Sequence, residues 1–375
     1  MYDVYTSGSK KEQKLKTVKV GLVGTGGIGN HHAKTYEPIE GIKIVAVCDI
    51  VKGKALQFAE RWGVPKKNAF TSYNKMLEMD EIDAVSVCTY NQAHRRPTVA
   101  ALKAGKHVLC EKPMAATLAD ATAMTRTAKE TGKILHIAIH SRYQPRVVMA
   151  KKIIEAGILG DVYYSESTGC RRRGIPGHTF IYKKTAGFGA VVDIGVYNMH
   201  NTMFALGYPK PVTVSAFTCD HIARQTPGLE AMDVEEFGAA WVRFEDGSIM
   251  IFKISWAVHA NSLGPNYFLG KKAGLSFDRL EVHADKCPKE LKKLVESEGG
   301  TLNVEEANNM VNVKIEGLER VDVWAAQVKA FCDAVRKGGP SPIDPEGVLL
   351  TNVIMDGIAR SVKKGKEVSA KVPEI

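Results

Sequence analysis

The chain has 375 residues, of which 45% are hydrophobic and 25% charged. At roughly 100–200 residues per domain it suggests two or three domains, large enough to fold without disulfides or metals; collagen, extended disorder and small disulfide scaffolds are excluded. The formal net charge of +10 leaves nucleic acid, an anionic membrane or an anionic ligand open as partners.

Residues 1–16 are polar and lysine-rich, which predicts an arm that is disordered or orders against a partner subunit. No apolar stretch with a small-residue cleavage site follows, so no signal peptide is expected. No apolar run approaches the ~20 residues that span a bilayer. The seven cysteines (Cys48, Cys88, Cys110, Cys170, Cys219, Cys287 and Cys332) show no CxxC pair. An odd number of unpaired thiols, the first three in apolar runs, fits a reducing cytoplasm.

A regular alternation then begins. Residues 18–24, 42–48, 84–89, 107–110 and 134–139 are short β-branched apolar runs. Such uniformly apolar strands suit a parallel sheet covered on both faces. Helical patterns separate them. One covers Lys54–Trp62 and stops at Gly63; Pro97 marks a first turn ending at Ala104-Gly105; Thr117 with Asp120 forms a capping-box pattern on a helix that stops at Gly132. The reading is α/β: a Rossmann domain with a parallel sheet over 17–140.

Residues 141–375 are expected to form a second α/β domain with a large, mostly antiparallel, open sheet. Residues 151–156 read as helix, 161–169 as a half-buried strand, 170–189 as a Gly/Pro/Arg-rich loop and 193–206 as one helix. The runs 237–244 and 248–254 flank Asp246-Gly247, a hairpin signal. Helices near 322–336 and 345–362 close the chain and are free to pack back on the first domain.

Gly24-Thr25-Gly26-Gly27-Ile28-Gly29 fits GxGxxG and lies between a strand and a helix, the context that gives the pattern meaning. Gly24 allows a tight turn, Gly26 lets backbone approach a pyrophosphate, and Gly29 permits close helix–strand packing. The helix start offers N–H groups to phosphates. Asp49 ends the second strand, where a carboxylate binds ribose hydroxyls and repels a 2′-phosphate. Ile50 and Val51 supply no cation, so NAD is favoured over NADP; Lys52 leaves NADP open.

The segment 88–115, CTYNQAHRRPTVAALKAGKHVLCEKPMA, resembles the glucose–fructose oxidoreductase / inositol dehydrogenase / rhizopine-catabolism (Gfo/Idh/MocA) family, whose hallmark is Glu111-Lys112-Pro113. The blocks 186–207, 270–278 and 347–368 also match, so the resemblance runs in order from about residue 17 to the end. It implies reversible hydride transfer between a nicotinamide and a sugar, polyol or related carbinol. It also implies a cis peptide at Lys112-Pro113 and an open sheet that builds homo-oligomers. By resemblance, Thr89, Asn91, His94, Glu111 and Lys112 meet the cofactor, as does the loop of Gly24, Gly26, Gly27, Ile28, Gly29 and Asp49. Tyr90 departs from the proline common at its position.

The family's D-x-x-x-H/Y motif stands here as Asp193-Ile194-Gly195-Val196-Tyr197. Oxidising a secondary alcohol needs a base for the hydroxyl proton. Lys112, desolvated beside a cationic nicotinamide, can relay that proton. On one helix, Asp193, Tyr197 and His200 share a face at i, i+4 and i+7. Tyr197 reads as a proton donor or acceptor oriented by Asp193; His200 reads as a supporting group, the true base, or a packed core histidine. Arg142 and Tyr143 sit where the family lines its substrate pocket. Arg171, Arg173 and His178 are substrate-binding candidates in the 170–189 loop, with a solvated loop edge as the plain reading for at least two of Arg171–Arg173. Trp256 and His259 suit a sugar face or, for Trp256, the core. No metal-ligand spacing and no nucleic-acid module appear.

With the resemblance, these residues predict an NAD-dependent oxidoreductase of a sugar, a glycoside (the C3 hydroxyl of a glucoside among the positions it would oxidise) or a cyclic polyol. An inositol dehydrogenase, a glycosidase that uses NAD transiently and a non-catalytic sugar sensor remain as alternatives. The positive charge reduces to a modest attraction for an anionic dinucleotide, with no role for nucleic acid or membrane.

Overall fold

The computed structural model describes residues 16–307 and 309–375. The expected arm therefore lies outside the described residues, apart from Lys16.

The first half alternates β1 (Val18–Val23), α1 (Gly27–Tyr36), β2 (Ile42–Cys48), α2 (Lys52–Arg61), β3 (Ala69–Phe70), α3 (Tyr73–Leu77), β4 (Ala84–Val87), α4 (Arg95–Lys103), β5 (His107–Glu111), α5 (Leu118–Thr131) and β6 (Leu135–Ala138). The strands form one six-stranded sheet in the order β3-β2-β1-β4-β5-β6, with every pairing parallel. The order reverses between β1 and β4, and ligands of such sheets bind in the crevice at that switch point. β4 is buried at every residue, as helices on both faces require. The Thr117 hydroxyl accepts the Asp120 N–H at the start of α5, which ends at Gly132 with φ 63°.

The second half contains α6 (Pro145–Glu155), β7 (Val162–Cys170), the one-turn helices α7 (Lys183–Ala186) and α8 (Ala190–Asp193), α9 (Gly195–Ala205), β8 (Pro211–Cys219), β9 (Phe237–Phe244) and β10 (Ile249–Ser255). Then follow β11 (Tyr267–Gly270), β12 (Ala273–Ser276), β13 (Glu281–Ala284), α10 (Lys289–Ser297), β14 (Thr301–Ala307), β15 (Met310–Glu316), α11 (Val323–Lys337), α12 (Pro345–Lys364) and β16 (Val368–Ser369). The ten strands order as β14-β15-β13-β12-β11-β7-β10-β9-β8-β16. Only β7 and β10 pair in parallel; the rest are antiparallel. β9 and β10 turn at Gly247, which adopts φ 83°.

The last two helices tie the halves together. On α11, Val328, Phe331 and Cys332 pack with Val18, Val20 and Leu109 of the first sheet. Along α12, Val348 and Leu349 enter the core around Met114 and Leu135, while Ile354 and Ile358 enter the core around Val214 and Phe252. One rigid helix thus fixes how the second sheet stands relative to the first, and so fixes the cleft between them.

The single helix expected over 193–206 is broken. α8 ends at Asp193 and α9 restarts at Gly195. The Tyr197 N–H bonds to the carbonyl of Ile194 at 3.2 Å, not to that of Asp193. Gly195 presses on the sheet, where an added Cβ would stand 2.7 Å from Phe252. The break leaves the Asp193 carbonyl free for another donor. Apolar periodicity runs through this segment without interruption, so the sequence pattern carried no sign of it.

Candidate active site

The glycine loop fits a dinucleotide by its contacts. Gly24 adopts φ 97°, and a Cβ there would meet the Cys88 carbonyl oxygen at 2.5 Å. A Cβ on Gly29 would meet the Gly24 carbonyl oxygen at 2.1 Å. By contrast, a Cβ on Gly26 or Gly27 would meet nothing within 4 Å. Two glycines are needed by the fold, and two leave room above the loop. No side chain caps α1, so its first N–H groups remain for an anion. Ile28 packs beside Leu22, Ala33 and Val47.

Asp49 is held at the rim of this groove. Its Oδ2 accepts from the backbone (3.0 Å) and hydroxyl (2.9 Å) of Thr25, and its Oδ1 accepts from Val51 N at 2.9 Å. Ile50 beside it is 86% exposed. An oriented carboxylate next to an apolar platform suits a ribose diol and a base ring and repels a 2′-phosphate.

Lys112 follows β5, and its side chain crosses to the second half. Its Nζ donates to the Asp193 carbonyl at 2.8 Å and to Asp193 Oδ1 at 3.1 Å. The carbonyl is the one freed by the break between α8 and α9. Trp256, fully buried, donates Nε1–H to Asp193 Oδ2 at 3.1 Å. Each Asp193 oxygen is thereby spoken for. Lys112 Nζ also lies 4.9 Å from the centre of the Tyr197 ring. Burial, with the Glu111 and Asp193 charges, pushes the Tyr197 phenol well above its ordinary value of 10.0. The Lys112-Pro113 peptide is cis.

A buried chain supports this lysine from below. Glu111 Oε2 accepts the Lys112 N–H at 3.1 Å, and its Oε1 lies 2.8 Å from His32 Nε2. His32 Nδ1 lies 3.2 Å from the Tyr36 hydroxyl, which bonds to Ser86 Oγ at 2.5 Å. Burial alone would raise the Glu111 carboxyl, but the hydrogen bond and charge of His32, with Lys112, hold it below its ordinary value. Glu111 therefore carries a negative charge beneath the site and is only 4% exposed, its carboxylate turned to His32 and to the Lys112 backbone. This differs from the cofactor contact expected of it.

His94 differs in the same way. It is fully buried, with Nδ1 2.8 Å from the Pro113 carbonyl and Nε2 3.1 Å from the Thr89 carbonyl. It staples the loops after β4 and β5 instead of lining the crevice. Burial lowers its pKa. A neutral imidazole has one N–H, so it makes one of these two bonds at a time. Asn91 reaches across the cleft and donates to the Ala186 carbonyl at 2.9 Å.

Of the other residues expected near substrate, His200, Arg142 and Tyr143 turn toward the protein, and His178 lies on an exposed loop. His200 is fully buried, its ring against Phe204 and its Nε2 3.3 Å from the Tyr208 hydroxyl. Burial, with Arg142 and His136, drives its pKa well down, so it is a neutral core histidine and not the base at Lys112. Of the three readings left open for it, the structure favours the packed core histidine; the α9 break also means that Asp193 and His200 do not share a continuous helix. The Arg142 guanidinium is half-buried and lies 4.1 Å over the Phe204 ring. Tyr143 packs against the first sheet's core. His178 is exposed in a left-handed turn with φ 58°.

Arg171 and Arg173 stay at the exposed loop edge. Arg171 donates to the Gly174 carbonyl at 3.1 Å, and Arg173 lies 2.6 Å from His259 Nε2.

Sequence reasoning missed three groups. His140 stacks on Trp324 (4.1 Å) and stands 5.0 Å from the Tyr197 ring. Burial lowers its pKa to about 4, so it is neutral. Glu235 accepts the N–H groups of Gly189 (2.8 Å) and Val191 (3.1 Å), anchoring the turn that carries Asp193. Only long-range pairing brings these residues in, and no local pattern announces that. The His31-His32 doublet was the one visible signal for the chain below Lys112.

A doubly wound sheet with this loop, joined to a lysine–aspartate pair across a cleft, defines a nicotinamide-dependent oxidoreductase. Residues 18–139 match the model of the oxidoreductase family with an NAD-binding Rossmann fold, and residues 147–286 match that family's C-terminal domain. The chain belongs to the Gfo/Idh/MocA oxidoreductase family, as the Glu111-Lys112-Pro113 segment implied, and its cofactor is NAD. It is 30% identical to the D-glucoside 3-dehydrogenase of Escherichia coli K12 over 289 residues, 74% of this chain and 81% of that protein. It is 35% identical to the inositol 2-dehydrogenase of Salmonella typhimurium LT2 over 146 residues, but these span only 38% of this chain and 43% of that one. Among solved structures, a levoglucosan dehydrogenase complexed with NADH and levoglucosan superposes with a TM-score of 0.77 at 21% identity, covering 96% of this chain and all of that one. An aldose-aldose oxidoreductase from Caulobacter crescentus gives 0.74 at 22% identity, over 94% of this chain and 100% of that one.

Proposed function

We propose that the chain oxidises a ring hydroxyl of a D-glucoside, at C3, with Lys112 handling the proton. The observation that carries this reading is the Lys112 ammonium held by both the carbonyl and the carboxylate of Asp193 beside Tyr197. The likeness to a D-glucoside 3-dehydrogenase over most of both chains supports the substrate class.

Bound NAD supplies the hydride acceptor. Gly26, Gly27 and the start of α1 receive its phosphates, and Asp49 receives a ribose. Once its ammonium has released a proton to solvent, Lys112 would take the hydroxyl proton as the carbon–hydrogen bond gives up hydride to the nicotinamide, leaving a carbonyl on the substrate and an ammonium again at Nζ. Asp193 stabilises that ammonium and fixes where it points, and Trp256 fixes Asp193. Tyr197 stays protonated, so it serves as a hydrogen-bond donor to the reacting oxygen. Reduction runs the same steps backwards.

The protein is proposed to be cytoplasmic and to work as a homo-oligomer. Among the described residues, no helix is long and apolar enough to cross a membrane. Phe217 and Trp241, 57% and 41% exposed, stand on the outer face of β8 and β9, which supports a self-association surface there.

NADH formation against glucosides, free sugars and inositols tests the reading, with the product located by borodeuteride reduction. D-glucosides are expected to be the best substrates, with the deuterium of the reduced product at C3. A clear preference for inositol, or cleavage of the glycosidic bond without NADH release, would overturn it.

A further inference from the structure

We propose that a polar cavity beyond Tyr197 is a subsite for a second, neutral sugar ring, so that the preferred substrate is a two-ring glycoside. This rests on the glucoside reading above and specifies it. The cavity has a volume of about 400 Å³, within the usual range for small-molecule sites. Tyr197 and His140 form one end of its wall. The same Tyr197 ring lies 4.9 Å from Lys112 Nζ, so the cavity adjoins the place proposed for the reacting hydroxyl. Asn201 lies one turn further along α9 on the face of Tyr197, about 6 Å away along the axis.

The wall offers neutral groups. Asn201 accepts the Ser141 hydroxyl through Oδ1 at 3.0 Å, which leaves its amide N–H groups for a ligand. Asn198 donates Nδ2 to the Thr168 carbonyl at 2.7 Å, which leaves its Oδ1 to accept. Carboxamides that can give and take hydrogen bonds match sugar hydroxyls, which do the same. The carboxylates at the wall already have partners. Glu166 pairs with Lys253 at 2.9 Å and takes the Tyr164 hydroxyl, while Asp278 takes the backbone and side-chain N–H groups of Asn266 at 2.9–3.1 Å. Arg146, exposed at the rim, donates Nε–H to Gln144 at 2.9 Å and stacks over Phe277, which leaves its terminal N–H groups to donate to a hydroxyl. Phe277, set edge to face against the buried Phe268 at 6.1 Å, supplies an apolar patch for the C–H face of a pyranose. A single ring at Lys112 would leave these groups to water, and a second ring engages them.

The test compares cellobiose, methyl β-glucoside and a methyl glucuronide as substrates of wild type, Asn201→Leu and Gln144→Ala. Wild type is expected to favour cellobiose over methyl β-glucoside by about tenfold or more in kcat/KM. Each variant is expected to lower that preference by about tenfold, mainly through the KM for cellobiose. Equal treatment of one- and two-ring substrates by wild type overturns the subsite, and so does an unchanged preference in both variants. Preference for the glucuronide overturns its neutral character. If wild type oxidises no glucoside, the functional reading fails instead. Calorimetric titration of cellobiose into the NADH complex then decides the subsite alone: binding weakened in Asn201→Leu supports it, and no binding by wild type overturns it.

Discussion

Lys112 and Asp193 stand 81 residues apart, yet the ammonium of one lies 2.8 Å from the carbonyl oxygen and 3.1 Å from Oδ1 of the other. The two side chains are only 13% and 12% exposed. They join the two halves of the molecule at the point where the cofactor crevice opens. The Asp193 carbonyl takes part only because the chain breaks helix after it. A secondary-structure defect thus becomes the second arm of a lysine clamp.

Lys112→Ala removes the proton carrier but leaves the glycine loop and Asp49 in place. A loss of about 10²–10⁴ in kcat is expected, the usual reach of a positioned acid–base group. NADH binding, followed by fluorescence titration, should stay at wild-type strength. Full turnover in this variant would remove the mechanism.

Trp256→Phe keeps an aromatic ring in the core but leaves Asp193 Oδ2 without its donor. A buried acceptor left unpaired costs roughly 1–3 kcal/mol. The expected result is a kcat lower by about tenfold to a hundredfold, with little change in NADH affinity. A lowered melting temperature with unchanged kcat would make Trp256 a packing residue only.

The parallel sheet, the glycine loop and Asp49 were legible because each is written locally. Apolar strands are continuous runs, and the loop needs glycine for contacts within its own turn. Thr117, Gly132 and Asp246-Gly247 likewise act on neighbours. Lys112 and Asp193 were legible through resemblance, not through spacing. The arrangement around them was not, because Trp256, Glu235, His140 and Trp324 converge from four distant stretches. For His200 the sequence left three readings open, and only the packing of its ring against Phe204 and Tyr208 selects the core histidine. Arg142 follows a recognisable motif, but its stacking over the Phe204 ring depends on a contact 62 residues away.

Glu235 gives a pH signature. Burial lifts its carboxyl from an ordinary 4.5 to about 7, against the opposing N–H donors of Gly189 and Val191 and the Lys183 charge. The folded state then binds more protons than the unfolded chain between these values. This contribution to stability is full below 4.5 and is lost as pH rises through about 7. Glu235→Gln keeps an acceptor that does not ionise. Its melting temperature should match wild type in acid and exceed it by about 2–4 °C above neutrality. Parallel melting curves across the range would refute the assignment.

Asp49 sets cofactor choice. Replacing it by serine, with Ile50→Arg beside it, removes the negative charge at the ribose and offers a cation for a 2′-phosphate. Serine still accepts from the Thr25 backbone, so the loop keeps one of its ties. The preference between NAD and NADP, measured as a ratio of kcat/KM, should move toward NADP by about a hundredfold or more. No movement would mean that the ribose is recognised elsewhere.

The glycine loop separates a fold requirement from a ligand requirement. Gly26 has φ −75°, which alanine adopts freely, and its Cβ would enter open space. Gly26→Ala should therefore melt within about 1 °C of wild type. The new methyl group nevertheless occupies the approach of the pyrophosphate, so NADH affinity should fall by about tenfold or more. Gly29→Ala is the opposite case. Its Cβ would stand 2.1 Å from the Gly24 carbonyl, so α1 must move away from β1. Overpacking of this kind costs roughly 1–3 kcal/mol or more. The variant should melt several degrees lower even without cofactor, and weaker NADH binding should follow from the displaced helix. Equal effects of the two substitutions on the cofactor-free melt would mean that the room above Gly26 is not the dinucleotide's.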